Sequence, residues 1–235
     1  MSTELDFTSP KDIAQFFRSD DESWLRVNMI LSLDGSHIGP TGSSRDLSSP
    51  TDLLVLLTLR ALSDVVLVGA KTALAEKYRY HQIRPELKSI AEKNPPFALV
   101  SDSLDLPLTA PIFAAEGPQP HVITREQQNF NWQRNFERLK SVAQISIISC
   151  ETLTGELIRN ELASLGFSRI TCEGGPTLLT TLFAAAVVDE LCLTTSPVIT
   201  GNLSPAMGLG QEFVTLSPVA QHLENGFQFT RFRCT

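Results

Sequence analysis

From Leu25 onward apolar and polar residues alternate. Leu25, Val27, Met29, Leu31 and Leu33 stand between Arg26, Asn28 and Ser32, a period of two that predicts a strand ending at Asp34-Gly35. Ser49-Pro50-Thr51-Asp52 then supplies a cap, a proline for the first turn and an acid at N3, ahead of a leucine-dense run, Leu53 to Leu62, that predicts a buried helix. Val65 to Val68 is a short buried strand stopped by Gly69. Residues 71–96 are more polar and punctuated by Pro85 and Pro95-Pro96, which predicts a long loop carrying a small helix near Glu86 to Glu92.

Beyond the loop, Phe97 to Val100, His121 to Thr124 and Ile145 to Ile148 read as strands, with a polar helix between Glu126 and Lys140. Gly155 to Leu165 has helical apolar spacing and a glycine stop at Gly166. Ser168 to Cys172 is a strand, Pro176 to Val187 a helix and Glu190 to Thr195 a strand. A glycine-rich loop through Gly201, Gly208 and Gly210 leads to two strands about Glu224-Asn225-Gly226, where Asn-Gly signals a hairpin. At the start, Ser9-Pro10-Lys11-Asp12 before Ile13, Phe16 and Phe17 predicts a short capped helix, an appendage within residues 1–23. Alternation of strands and helices with the hairpin last predicts an α/β fold: a mostly parallel central sheet, flanking helices and a C-terminal antiparallel hairpin. No linker or repeat divides it, so residues 1–235 are expected to form one domain.

Composition narrows the partners. Nineteen Lys and Arg against twenty-six Asp and Glu leave a net charge of −7, which repels nucleic acid and anionic membranes on average. The first six residues lack the regions of a signal peptide, and the apolar run Phe183 to Val188 is too short to span a bilayer, so a cytoplasmic protein is expected. The four cysteines and four histidines are scattered without ligand spacing, so neither a disulfide framework nor a structural metal is predicted.

Candidate chemistry gathers at strand ends. In Cys172-Glu173-Gly174-Gly175-Pro176-Thr177-Leu178 a strand runs through two glycines into a helix with proline at N1; unpaired amides at Thr177 and Leu178 suit an anion, and the same residues would serve an ordinary βα turn. Gly69-Ala70-Lys71-Thr72 ends another strand, so the two turns could bracket one dinucleotide. Lys71, Lys77, Arg79, His81 and Arg84 form a basic stretch that fits either a phosphate partner or a solvated loop. Arg60 on the apolar helix is either a snorkelling surface residue or a phosphate clamp. Asp34, Asp52 and Glu173 are the carboxylates nearest these ends; a turn explains Asp34 and helix capping explains Asp52 about as well as chemistry does.

Taken in order, Ser32-Leu33-Asp34-Gly35, Leu59-Arg60-Ala61-Leu62-Ser63-Asp64, Val68-Gly69-Ala70-Lys71-Thr72, Cys172-Glu173-Gly174-Gly175-Pro176-Thr177-Leu178, Val188-Asp189-Glu190-Leu191 and Ser196-Pro197-Val198-Ile199-Thr200-Gly201 resemble the reductase domain of riboflavin biosynthesis, in a stand-alone form without the deaminase often fused to it. That family looks like dihydrofolate reductase in fold. The resemblance implies that Gly174 to Thr181, including Gly175, Pro176, Thr177 and Leu178, cradles the pyrophosphate of NADPH, with Gly69, Thr72 and the backbone of Ile30 beside it and Glu76 near the nicotinamide. It implies that Ser44, Arg60 and Glu173, joined by Arg79 of the basic loop, contact a ribosylamino-pyrimidine phosphate. Asn28, where a lysine is common, and Asp46, where an aromatic is common, depart from the pattern.

The implied reaction carries hydride from NADPH to C1′ of the substrate's 5-phosphoribosylamino group, reached as the ring-opened imine, and Glu173 and Asp52 are the candidate proton donors. Two other readings stay open: another NADPH-dependent reductase such as dihydrofolate reductase, and a non-catalytic NADPH-binding protein. The terminal aromatics Phe227, Phe229 and Phe232 on a sheet edge predict a homodimer, unless the N-terminal helix folds over that edge.

Overall fold

The computed structural model describes residues 5–114, 116–201, 204–206 and 213–235. Its elements in chain order are α1 (Pro10–Phe16), β1 (Trp24–Ser32), α2 (Pro50–Ala61), β2 (Val65–Gly69), α3 (Ala70–Ala75), β3 (Phe97–Val100), β4 (His121–Arg125), α4 (Phe130–Leu139), β5 (Gln144–Ile148), α5 (Gly155–Ser164), β6 (Arg169–Cys172), α6 (Pro176–Ala184), β7 (Glu190–Ser196), β8 (Leu216–Glu224) and β9 (Phe227–Cys234). One nine-stranded sheet runs in the order β5-β4-β3-β2-β6-β1-β7-β9-β8. β1 to β7 are parallel, and β9 and β8 close one edge as an antiparallel hairpin turned at Asn225-Gly226, both with positive φ.

The direction of the crossovers places the helices. β1 to β2, β2 to β3 and β4 to β5 step toward one edge, while β5 to β6 and β6 to β7 step back, so right-handed connections put α2, α3 and α4 on one face and α5 and α6 on the other. The alternation of β2 agrees. Val66 and Val68 pack with Ala73, Trp132 and Leu139, whereas Val65 and Leu67 pack with Ile158, Leu162, Leu178 and Leu182. Adjacent β2 and β6 therefore send their chains to opposite faces, which opens a crevice beyond their carboxyl ends.

Several expectations are corrected. Residues 71–75, read as the start of the loop, belong to α3: its three alanines favour helix, Ala70 and Ala73 are buried, and Lys77 at φ 54° ends the turn. The small helix near Glu86 to Glu92 is only a 3-10 turn at Pro85–Leu87, because Leu87 and Ile90 tuck one after the other against Leu57 and Ala61 of α2. The helix expected to reach Val187 stops at Ala184, where Ala186 takes a left-handed conformation at φ 50°. Gly208 and Gly210 lie outside the described residues.

Nor is the N-terminal helix an appendage. Ser9 caps α1, and Phe7, Ile13, Phe16 and Phe17 are buried with Val55 and Leu59 of α2, Cys192 of β7 and Phe229 of β9. Beneath them Arg26 and Arg231 share the carboxylate of Glu190, all three almost fully buried. The guanidinium groups also donate to the main-chain carbonyls of Phe17 and Arg18, where α1 ends. Two cations therefore face one anion plus the main-chain carbonyls that follow α1, while Arg26 Nη1 and Arg231 Nε are buried without a hydrogen-bond partner among the described residues. The segment covers a face of β9, while the edge of the sheet is β8, with Val219 and Leu223 exposed.

Candidate active site

The two glycine turns meet in the crevice. The Gly69 amide donates to the Gly174 carbonyl at 2.7 Å, and the neighbouring Glu173 amide donates to Leu67 O at 2.9 Å, so the ends of β2 and β6 are stitched together. Gly174 has φ +91° and is joined to Gly175 by a cis peptide bond. A side chain on Gly175 would run into the hydroxyl of Thr72, the third residue of α3, and one on Gly69 would press on the Gly175 amide. Gly175 is also the N-cap of α6 and offers no side chain to its amides; Pro176 and Thr177 are exposed there, while Leu178 turns into the core. The result is a backbone-lined cradle at a helix N-terminus, the shape and polarity that a pyrophosphate requires. Its residues fit a dinucleotide.

On the α2 side of this cradle lies a buried polar cluster. Arg60, from the last turn of α2, closes a bidentate fork on Glu173, with Nε and Nη2 each 2.7 Å from a carboxylate oxygen and side-chain exposures of 15% and 3%. The Tyr78 hydroxyl donates to the same carboxylate at 2.6 Å, and the Arg60 guanidinium lies over the rings of Tyr78 and Phe97. Burial works against the charge on Arg60, but Glu173 beside it outweighs that and holds the guanidinium firmly protonated. Burial and the Glu173 charge push the Tyr78 phenol well above its usual range, so it stays a donor. Arg60 is thus neither a surface snorkel nor a free clamp; two of its three nitrogens serve Glu173.

Glu76, at the end of α3, fastens the loop after β1. It accepts from the Ser43 hydroxyl at 2.9 Å and from the Ser44 amide at 3.3 Å, and Arg45 donates to its main-chain carbonyl at 2.7 Å. Asp46 steadies the same loop by accepting from the Thr41 amide at 2.7 Å. Asp34, in the turn after β1, accepts from Ser32 Oγ at 2.6 Å and from the amides of Thr200 and Gly201, and these bonds, that from Ser32 foremost, hold its carboxyl well below the usual range. It ties the ends of β1 and β7 together.

Asp52 sits in the first turn of α2. It accepts from Ser48 Oγ at 2.6 Å and from Thr194 of β7, whose register partner on β1 is Ile30. Burial pushes its carboxyl above the usual value despite those bonds. Arg79 is exposed, with Nε 3.2 Å from His81 Nε2. Burial, and then the charges of Arg79, Arg60 and Arg84, depress His81, and Ile83 and Leu87 of the loop pack against Ala61 at the end of α2.

The structure therefore joins Gly69, Thr72, Gly174 and Gly175 in one cradle, Arg60 with Glu173 in a second group and Ser44 with Glu76 in a third. Asp52 and Ile30 stand along β1 and β7 instead. Tyr78 and Ser43 were not anticipated. Nothing in the sequence marks Tyr78 except an aromatic in a basic loop, and Ser43 gives only the weak signal of a cap before a short turn.

Comparison with known proteins fits this geometry. The family model of the RibD C-terminal domain matches residues 23–226. The 2,5-diamino-6-ribosylamino-4(3H)-pyrimidinone 5′-phosphate reductase of Archaeoglobus fulgidus is 29% identical over 194 residues, 80% of this chain and 87% of that protein. The protein of the same name from Methanothermobacter thermautotrophicus is 27% identical over 176 residues, 75% of this chain and 78% of its own. Among solved structures, a pyrimidine reductase-like protein from Corynebacterium diphtheriae superposes with a TM-score of 0.84 at 22% identity, covering 97% of this chain and 99% of the other. A riboflavin biosynthesis reductase from Saccharomyces cerevisiae gives 0.69 at 14% identity, covering 95% and 100%. These two likenesses bear on the fold alone.

Proposed function

The chain belongs to the RibD C-terminal domain family, and on that footing we propose that it is the NADPH-dependent pyrimidine reductase of riboflavin biosynthesis, acting as one domain. Its substrate in this reading is a ribosylamino-pyrimidine 5′-phosphate such as 5-amino-6-(5-phosphoribosylamino)uracil. The observation that carries the reading is the convergence of the Gly69 and Gly174-Gly175 turns at an uncapped helix N-terminus, beside the buried cluster of Arg60, Glu173 and Tyr78.

When bound, NADPH supplies a hydride to C1′ of the ring-opened imine, and a proton taken up at nitrogen completes the secondary amine of the ribitylamino product. The protein's residues hold and position. The amides of Thr177 and Leu178 would take the pyrophosphate, with Thr72 alongside. Glu76 would fix the Ser43-Ser44 loop over the reacting end. Arg79, Arg84 and the Nη1 of Arg60 would receive the substrate phosphate. Glu173 already accepts three donors, which suits a group that positions Arg60 and Tyr78. Asp52 is the carboxyl whose surroundings favour the protonated form, which suits a proton source.

Following the loss of reduced-nicotinamide absorbance with 5-amino-6-(5-phosphoribosylamino)uracil, with its 2,5-diamino counterpart and with dihydrofolate tests the reading. Oxidation with either ribosylamino-pyrimidine phosphate and none with dihydrofolate is expected. Turnover of dihydrofolate alone would indicate a folate-type reductase, and binding without turnover a nucleotide-binding protein. We also propose that two copies pair along β8, whose edge, unpaired among the described residues, carries exposed Val219 and Leu223. Light scattering at micromolar protein should give twice 25.8 kDa, and a mass that stays at 25.8 kDa would refute the dimer. No helix among the described residues is long and apolar enough to cross a membrane; a cytoplasmic location goes with this reading.

A further inference from the structure

The cradle has a second flank. Val100, the last residue of β3, is the register partner of Gly69, and Ile123 of β4 is the partner of Val100. Two residues beyond each of these lie Asp102, just past the end of β3, and Arg125, the last residue of β4, displaced from Gly69 by one and two strand spacings across the sheet, roughly 5 and 10 Å, and by roughly 7 Å along the strands. They form a bidentate pair, Nε to Oδ1 at 2.8 Å and Nη2 to Oδ2 at 3.1 Å, with side-chain exposures of 31% for Arg125 and 60% for Asp102. The pair is held in place from behind: Gln127 donates to the Asp102 carbonyl at 2.6 Å, and the Ser101 hydroxyl accepts from the Leu104 amide to set the turn.

In the sheet order, β3 and β1 lie on opposite sides of the β2 and β6 pair that forms the cradle. A dinucleotide whose nicotinamide half lies toward β1, as the proposed function requires, must lay its adenosine half toward β3 and β4. Asp102 and Arg125 are the charged pair at the carboxyl ends of those two strands. An acidic side chain at such a place accepts from a ribose 2′-hydroxyl, and an arginine accommodates a 2′-phosphate; here both are present and occupy one another.

We propose that Asp102 and Arg125 read the 2′ position of the cofactor's adenosine ribose. Arg125 is the ligand of a 2′-phosphate, and Asp102 competes with that phosphate for the guanidinium and accepts from a bare 2′-hydroxyl. The consequence is weak discrimination, with NADPH and NADH binding within about tenfold of one another. This inference rests on the dinucleotide reading above, and the experiment separates the two. Calorimetric titration of the intact protein, Asp102→Ser and Arg125→Gln with NADPH and with NADH gives six dissociation constants, and melting curves confirm that the surface variants are folded. Asp102→Ser is expected to shift the affinity ratio at least tenfold toward NADPH, and Arg125→Gln at least tenfold toward NADH. Ratios that stay within threefold of the intact protein in both variants overturn the assignment of the pair while leaving nucleotide binding intact. Failure of the unmodified protein to bind either nucleotide overturns the dinucleotide reading itself.

Discussion

Replacing Arg60 by glutamine would decide whether that residue grips the substrate or holds the site together. Removing the guanidinium takes two 2.7 Å charge-assisted bonds from Glu173, which is 3% exposed, and leaves it the Tyr78 hydroxyl. Breaking a buried pair by deleting one partner costs about 3 to 5 kcal/mol, because the surviving charge stays out of water. At roughly 2 to 4 °C per kcal/mol for a domain of this size, the melting temperature of the ligand-free protein should fall by about 6 to 20 °C. A surface arginine serving only as a phosphate ligand would change stability by no more than about 0.5 kcal/mol. The variant should also lose roughly 1.5 to 3 kcal/mol of substrate affinity while NADPH affinity barely changes. Thermal and urea unfolding of Arg60→Gln, Glu173→Gln and the double variant, with dissociation constants for both ligands, make the test complete. The two single losses should not add, since the second substitution removes a partner already lost. An Arg60→Gln melting point within about 2 °C of the unmodified protein would refute the argument from the buried fork.

The Gly175→Val substitution, at a residue whose backbone angles any amino acid tolerates, should place a side chain against Thr72 and the pyrophosphate and weaken NADPH binding by about 2 kcal/mol or more; a folded variant with unchanged affinity by calorimetry would remove the cradle from consideration. Asp52, raised by burial, contributes stability that is fully present below its unfolded value near 4 and is lost as pH rises through the raised folded value. Asp52→Asn should therefore flatten that decline in urea titrations across pH, and it should slow turnover most where the protonated acid is needed. Burial pushes Glu190 up, but Arg231 and Arg26 outweigh it and lower the carboxyl, so its contribution is present above about 4.3 and is lost as pH falls. Glu190→Gln should cost about 3 to 5 kcal/mol at neutral pH and show a shallower acid limb, as read by denaturation at several pH values.

Local signals carried most of the fold. The alternation in β1, the Ser49-Pro50 start of α2, the Gly166 stop and the Asn225-Gly226 turn are each written in a few adjacent residues, and each element formed as they direct. α3 was missed because six residues with a lysine and a threonine among alanines show no periodicity. The site was legible only in its backbone part, since glycines before a helix advertise a cradle wherever they fall. The fork of Arg60 on Glu173 joins residues 113 positions apart, and no spacing rule reaches that far. The same holds for Tyr78, which follows the left-handed Lys77 and meets Glu173 95 positions away.

The arginine pair beneath the N-terminal segment has a consequence for how the chain is made. Arg231 donates to the carbonyl of Arg18 across 213 residues, and Phe229 beneath it completes the pocket that receives Phe7 and Phe16. On the ribosome, where synthesis proceeds from the N-terminus, α1 emerges long before the β9 part of its seat exists. Val55 and Leu59 of α2 can receive its phenylalanines first, and their burial is complete only when β9 has left the exit tunnel. Only then can α1 and β9 lock one another in place.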